Sequence, residues 1–194
     1  MWSKALATRD PRPDQIIDSI LDLFAHRGAR EYMGEAVTMS QHMEQSAACA
    51  VADGAPDSLV IAALLHDIGH FIGEHPIEAL ENGIDNVHEE AGARYLEPFF
   101  PASITEPIRL HVAAKRYLCA TDKDYFGELS DASVDSLKVQ GGPMSRAEVE
   151  RFESNPYHKQ AVRLRLYDDD GKVAGLEIKP VTEYRATLEA LVKN

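Results

Sequence analysis

PDSLVIAALLHDIGHF, residues 56–71, decides how the rest of the chain is read. From Leu59 to Leu65 every side chain is apolar, and a helix that greasy all round belongs in the centre of a core. Pro56 stands where a first helical turn tolerates proline, because an N–H there would have no partner anyway. The run then ends in His66-Asp67, with His70 four residues on and so on the same helical face as His66. Unpaired polar groups at the buried end of such a helix would cost several kcal/mol. A buried carboxylate there makes sense if a cation compensates it.

Helical signals continue on both sides of this run. Ile16, Ile17, Ile20, Leu21, Leu23 and Phe24 form an apolar stripe closed by Gly28. Thr38-Met39-Ser40-Gln41 offers cap residues for a helix that Gly54 ends. Further helices are expected over 87–98, 105–119 (capped by Thr105, with Pro107 in its first turn), 157–168 and 182–192, and Ser145-Arg146-Ala147-Glu148 opens another. The pattern breaks from Gly69 to Gly83, and 73–86 and 120–144, rich in Gly, Asp and Ser, are expected as loops over a site. Only GKVAGLEIKP, 171–180, has strand-like character. The expectation is a single all-α domain spanning 1–194.

The histidines suggest what that bundle holds. His42 lies on a helix face lined by the small residues Ser46 and Ala50, which leaves room for its ring to meet an ion. His88 opens one expected helix, His111 sits in the middle of another, and Asp168-Asp169-Asp170 closes a third. One ion would use His42, His66, Asp67 and Asp168; a second would share Asp67 and take His88 and His111. Imidazole with carboxylate suits iron, manganese or zinc better than magnesium or calcium, and the absence of thiolates speaks against a structural zinc site. His26, His75 and His158 are assigned to the surface. Lys115 follows His111 by four residues and Arg165 precedes Asp168 by three, so each cation shares a helix face with a metal ligand.

The chain has 194 residues, 20 basic and 32 acidic, for a net charge of −12 with histidine neutral. That balance argues against nucleic acid or anionic membrane as partners. It does not exclude a small anion, since a few cations focused in a pocket outvote a distant surface. At 44% hydrophobic and 27% charged, the composition is that of a folded protein. No stretch reaches the roughly 18 apolar residues of a membrane span, and MWSKALATRDPRP has no signal-peptide core. Cys49 and Cys119 make no disulfide framework, so the expected setting is a reducing cytoplasm.

A histidine, then an HD dipeptide on an apolar helix, then a distant aspartate resembles the signature of the HD-domain superfamily, an all-helical, metal-binding fold. Further elements resemble one branch of it, the PhnZ/TmpB-like mixed-valence diiron oxygenases: Tyr32-Met33-Gly34-Glu35, HVAAKRYL (111–118), LSDAS (129–133), QGGPM (140–144) and RLYD ending at Asp168. The resemblance spans about residues 30–170. It implies an Fe(II)/Fe(III) pair that activates O2 and cleaves the C–P bond of 1-hydroxy-2-aminoethylphosphonate or its N-trimethyl analogue, giving glycine or glycine betaine plus phosphate. It also implies a partner hydroxylase of the 2-oxoglutarate type that makes the 1-hydroxyphosphonate. By the same resemblance, His42, His66, Asp67 and Asp168 hold one iron and Asp67, His88 and His111 the other. Tyr32, hydrogen-bonded to Glu35, fills the open position of the second iron until substrate displaces both. Lys115, Ser133, Gln140 and Arg165 hold the phosphonate, and His70 contacts the substrate or supports the metals.

The stretch FIGEHPIEALENGIDNV, 71–87, departs from the family in composition, which leaves the amine end open. A trimethylammonium group would want an aromatic cage, with Phe24 and Phe71 as candidates; a primary ammonium would want a carboxylate such as Glu35. The alternative reading is an HD phosphohydrolase of a nucleotide or phosphate ester, using a metal-bound hydroxide. A hydrolase gains nothing from a tyrosine that plugs a coordination site, so Tyr32 and Glu35 separate the two. A non-catalytic HD module is disfavoured, because every expected ligand and both anion-holding cations are present.

Overall fold

A computed structural model describes residues 11–32, 34–72 and 87–193. The described residues are helical, with no strand among them: α1 (Ile16–Arg27), α2 (Met39–Ala52), α3 (Asp57–Leu65), α4 (Gly69–Ile72), α5 (His88–Leu96), α6 (Ala102–Thr121), α7 (Asp131–Val139), α8 (Arg146–Glu153), α9 (His158–Asp170) and α10 (Arg185–Leu191). The expected all-helical class is the one observed. α3 is central, with Leu59 to Leu65 all buried, and α2, α6 and α9 pack against it. No helix among the described residues is long and apolar enough to cross a membrane.

The caps explain several boundaries. Thr38 accepts from the Gln41 N–H while the Gln41 side chain accepts from the Thr38 N–H, which sets the start of α2 and puts His42 in its first turn. Ser145 and Glu148 do the same for α8. Tyr32 to Val37 is a tight loop: Glu35 N–H donates to the Tyr32 carbonyl (2.7 Å), Tyr32 N–H to the Val37 carbonyl (3.0 Å), and Gly34 turns at φ +78°. A Cβ at Gly34 would meet nothing within 4 Å, so backbone freedom, not space, is what a glycine supplies there.

Four expectations are corrected. α3 stops at Leu65, and i→i+3 bonds (Ile68 to Leu65, His70 to Asp67) tighten the chain before α4 resumes at Gly69, so His66 and His70 do not share one helix face. α6 begins at Ala102 behind Pro101, not at Thr105, leaving Pro107 inside the helix. Burying Ile104 and Ile108 outweighs the one backbone bond that Pro107 forfeits. The expected loop 120–144 contains α7 and a 3-10 turn, Tyr125–Glu128. The buried face of α7 carries Ser133 and Ser136 beside Leu137, so its apolar period is too weak to mark a helix in the sequence. Residues 171–180 form no strand; they turn at Gly175 (φ +72°) and expose Val173 and Leu176. The expected loop 73–86, with His75, lies outside the described residues.

Candidate metal centre and substrate pocket

Five elements deliver the six expected ligands to one point. His42 comes from the first turn of α2, His66 and Asp67 from the tight turn after α3, His88 from the start of α5, His111 from mid-α6 and Asp168 from the end of α9. All six are buried. His42 Nε2 lies 3.1 Å from His66 Nε2, 3.3 Å from Asp168 Oδ1 and 3.6 Å from Asp67 Oδ2. On the other side of Asp67, Oδ1 lies 3.1 Å from His88 Nε2 and 3.6 Å from His111 Nε2, and those two nitrogens are 3.1 Å apart. One carboxylate therefore faces two clusters, one with each oxygen.

These spacings suit metal coordination. Two atoms about 2.1 Å from one ion, at right angles, lie about 3.0 Å apart. The tautomers agree with this. His42 Nδ1 is 3.0 Å from the Gly171 carbonyl, and His66 Nδ1 and His111 Nδ1 are each 2.8 Å from the carbonyls of Ala63 and Ile108. A carbonyl only accepts, so each Nδ1 carries the proton and each Nε2 presents a lone pair. Lone pairs of His42 and His66 facing each other at 3.1 Å repel unless a cation sits between them. Asp67 Oδ2 and Asp168 Oδ1 are likewise buried with no hydrogen-bond partner among the described residues, and a buried orphan carboxylate is costly.

The electrostatics leave this donor set ready for an ion. Burial alone would raise the Asp67 carboxyl, but His66, His88 and His70 hold it well below the usual range. Burial of Asp168 is outweighed in the same way by Arg165 and His42. His111 is pushed well down by burial, then by His88 and His66, which keeps it neutral. His88 is raised in spite of burial because it faces Asp67; there a metal ion would replace the proton.

A pocket opens on this centre. Tyr32, Lys115, Ser133, Gln140 and Arg165, all anticipated from sequence, line it. Tyr32 stacks on His42, with ring centroids 3.9 Å apart, and its phenol is pushed up by burial, then by Asp67 and Asp168. Lys115 is brought down to about 7 by burial, then by Arg165. Gln140 Oε1 is buried without a partner among the described residues.

Other expectations fare differently. No hydrogen bond joins the side chains of Tyr32 and Glu35; the turn ties their backbones instead, and Glu35 is not part of the pocket lining. His70 stacks on His88 at 4.1 Å, with Nε2 4.0 Å from Asp67 Oδ1, behind the second cluster and off the pocket wall. Phe24 and Phe71 pack edge to face in the core, 5.5 Å apart, and form no cage. His26 is exposed, while His158 is half-buried. Two polar lining residues were not anticipated, Ser136 and Lys172. Their signal was position alone, Ser136 three residues after Ser133 and Lys172 four after Asp168.

Comparison with known proteins adds to this geometry. Residues 33–129 match the HD domain. The chain is 48% identical over 177 residues to a [1-hydroxy-2-(trimethylamino)ethyl]phosphonate dioxygenase (glycine-betaine-forming) of Leisingera caerulea, covering 91% of this chain and 90% of that one. It is 43% identical over 183 residues to a hydroxymethylphosphonate dioxygenase of Gimesia maris, covering 94% and 90%.

Proposed function

Because the chain belongs to the HD-domain proteins, in the branch that holds the phosphonate dioxygenases, we propose that it is an O2-dependent oxygenase that cleaves the C–P bond of a 1-hydroxyphosphonate. The observation that carries this reading is Asp67, one carboxylate shared between two buried histidine pairs under a pocket bordered by cations. The preferred substrate is 1-hydroxy-2-(trimethylammonio)ethylphosphonate, the type named for the relative at 48% identity. The relative at 43% acts on a phosphonate with no amine at all, so the common demand is the hydroxyl and phosphonate end. Glycine betaine and phosphate are the products, and both oxygen atoms of O2 enter them, one in each.

His42, His66, Asp67 and Asp168 would hold one iron, and Asp67, His88 and His111 the other. An Fe(II)/Fe(III) pair bound there supplies the one-electron chemistry that breaking a C–H bond with O2 demands and that magnesium or zinc lacks. Lys115, Ser133 and Gln140 face the space where the phosphonate would lie, and hold its oxygens so that C1 stays near the metals. Arg165 borders the same space and, through its 2.7 Å bond to Asp168, ties the anion end to a metal ligand. Tyr32, stacked on His42 at the pocket wall, would be a further ligand to the metal and would give way to substrate. His70 keeps the His88 ring in place by stacking. A reducing cytoplasm suits ferrous iron, and a hydroxylase of the 2-oxoglutarate type would supply the 1-hydroxyl.

Protein purified without oxygen and loaded with iron should release one phosphate for each O2 consumed from the N-trimethyl 1-hydroxyphosphonate. Phosphate release from ordinary monoesters, indifferent to O2, would overturn the reading in favour of a phosphohydrolase. Tyr32→Phe should lose the visible absorption of a tyrosine bound to ferric iron; an unchanged spectrum removes Tyr32 from the ligand set.

A further inference from the structure

Three cations border the pocket, and they are not equivalent. Arg165 Nη1 donates to Asp168 Oδ2 at 2.7 Å, its Nε lies 3.0 Å from Asp169 Oδ2 and from the Tyr125 hydroxyl, and its Nη2 reaches Asp169 Oδ1. One positive charge faces two carboxylates, so Arg165 has little charge to offer a ligand. Lys115 and Lys172 pair with no carboxylate among the described residues. Lys115 Nζ donates to Ser136 Oγ (2.6 Å), and Lys172 Nζ donates to Ser133 Oγ (3.2 Å). Two amino groups that make no salt bridge, each on a hydroxyl of one α7 face, stand where they can turn to a phosphonate.

Lys172 is also aimed. The carbonyl of Gly171, just before it, accepts from His42 Nδ1. Just after it, Val173 N–H donates to Gln45 Oε1 (2.8 Å) and the Val173 carbonyl accepts from Gln45 Nε2 (2.9 Å). Gln45 is a buried α2 residue, so a side-chain amide clamps this segment as a neighbouring strand would. The lysine between these two fixed points lines the pocket, and its ammonium lies 5.8 Å from the Tyr32 ring centroid. Fixing the backbone beforehand lowers the entropy lost when the charge is used.

We propose that Lys172 is a substrate-binding residue that supplies, with Lys115, the counter-charge of the bound phosphonate, and that Gln45 is the positioning residue that aims it. This rests on the reading of the chain as a phosphonate enzyme. The test is calorimetric binding of methylphosphonate to the iron-loaded protein without oxygen. Lys172→Met should weaken binding about 10- to 100-fold, the worth of a charge-assisted hydrogen bond, and Lys172→Arg should restore most of it. Gln45→Leu should weaken binding alone but add nothing in the Lys172→Met background, whereas a merely structural role would weaken both alike. Binding by Lys172→Met within about twofold of wild type, while Lys115→Met binds poorly, would overturn the proposal, as would additive losses from Gln45→Leu. If wild type binds methylphosphonate through Lys172 yet shows no O2-dependent cleavage, the functional reading fails and the anion site stands. If it turns over and Lys172 is silent, only this proposal falls; if wild type does not bind methylphosphonate, both fall.

Discussion

At the scale of single residues, the centre turns on Asp67 and the pocket on Lys115. Asp67 presents one oxygen to each histidine pair, so in the proposed two-metal centre its loss would remove a ligand from both ions at once. Asp67→Asn should bring bound iron from two per chain to one or fewer, measured by metal analysis after desalting. Lys115 is buried, with Ser136 as its hydrogen-bond acceptor, and its proton leaves near pH 7. If the charged form binds the anion, as proposed, kcat/KM should fall as pH rises above about 7, and Lys115→Met should lose that limb together with most of the affinity. The sign for stability is the opposite. A lysine with a folded value below its unfolded one carries its full burial penalty under pH 7, and sheds it as pH rises between 7 and the ordinary lysine range. Lys115→Met should therefore raise Tm by a few degrees at pH 6 and by less at pH 9 in thermal melts without substrate.

At the scale of elements, the close approach of α4 to α5 decides where His88 points. A Cβ on Gly69 would stand 1.9 Å from the His88 carbonyl oxygen and 2.7 Å from its carbon. Backbone cannot yield there as a flexible side chain could, so Gly69→Ala must push α5 outward and carry His88 from Asp67. The expected result is a loss of about 3 kcal/mol or more in chemical denaturation, together with the loss of one metal. The caps act more gently. Thr38→Ala removes the acceptor for the Gln41 N–H at the start of α2 and should cost about 1 kcal/mol, leaving iron stoichiometry at two in desalted protein.

At the scale of the whole molecule, four buried imidazoles and two buried carboxylates converge, and each would prefer water to its neighbours unless ions intervene. Metal should therefore be part of the stability. Dialysis against a chelator should lower Tm by roughly 5–10 °C, and ferrous iron should restore it. The all-helical class, the central place of α3, the caps at Thr38 and Ser145, and the six side chains that converge at Asp67 were all legible in the chain. Each of these follows from local spacing or from the price of burying a polar group. Tertiary contact alone decided the rest. The turn at His66–Ile68 separates His70 from His66, α7 hides a serine face that periodicity cannot mark, and Phe24 and Phe71 go to the core although their composition would suit a cage equally. Arg165 was recognisable as a pocket cation but not as one already matched by Asp168 and Asp169, and Lys172 carries no motif at all. Sequence spacing reports which side chains share one element, whereas charge balance and aim depend on groups that separate elements bring within a few ångströms of each other.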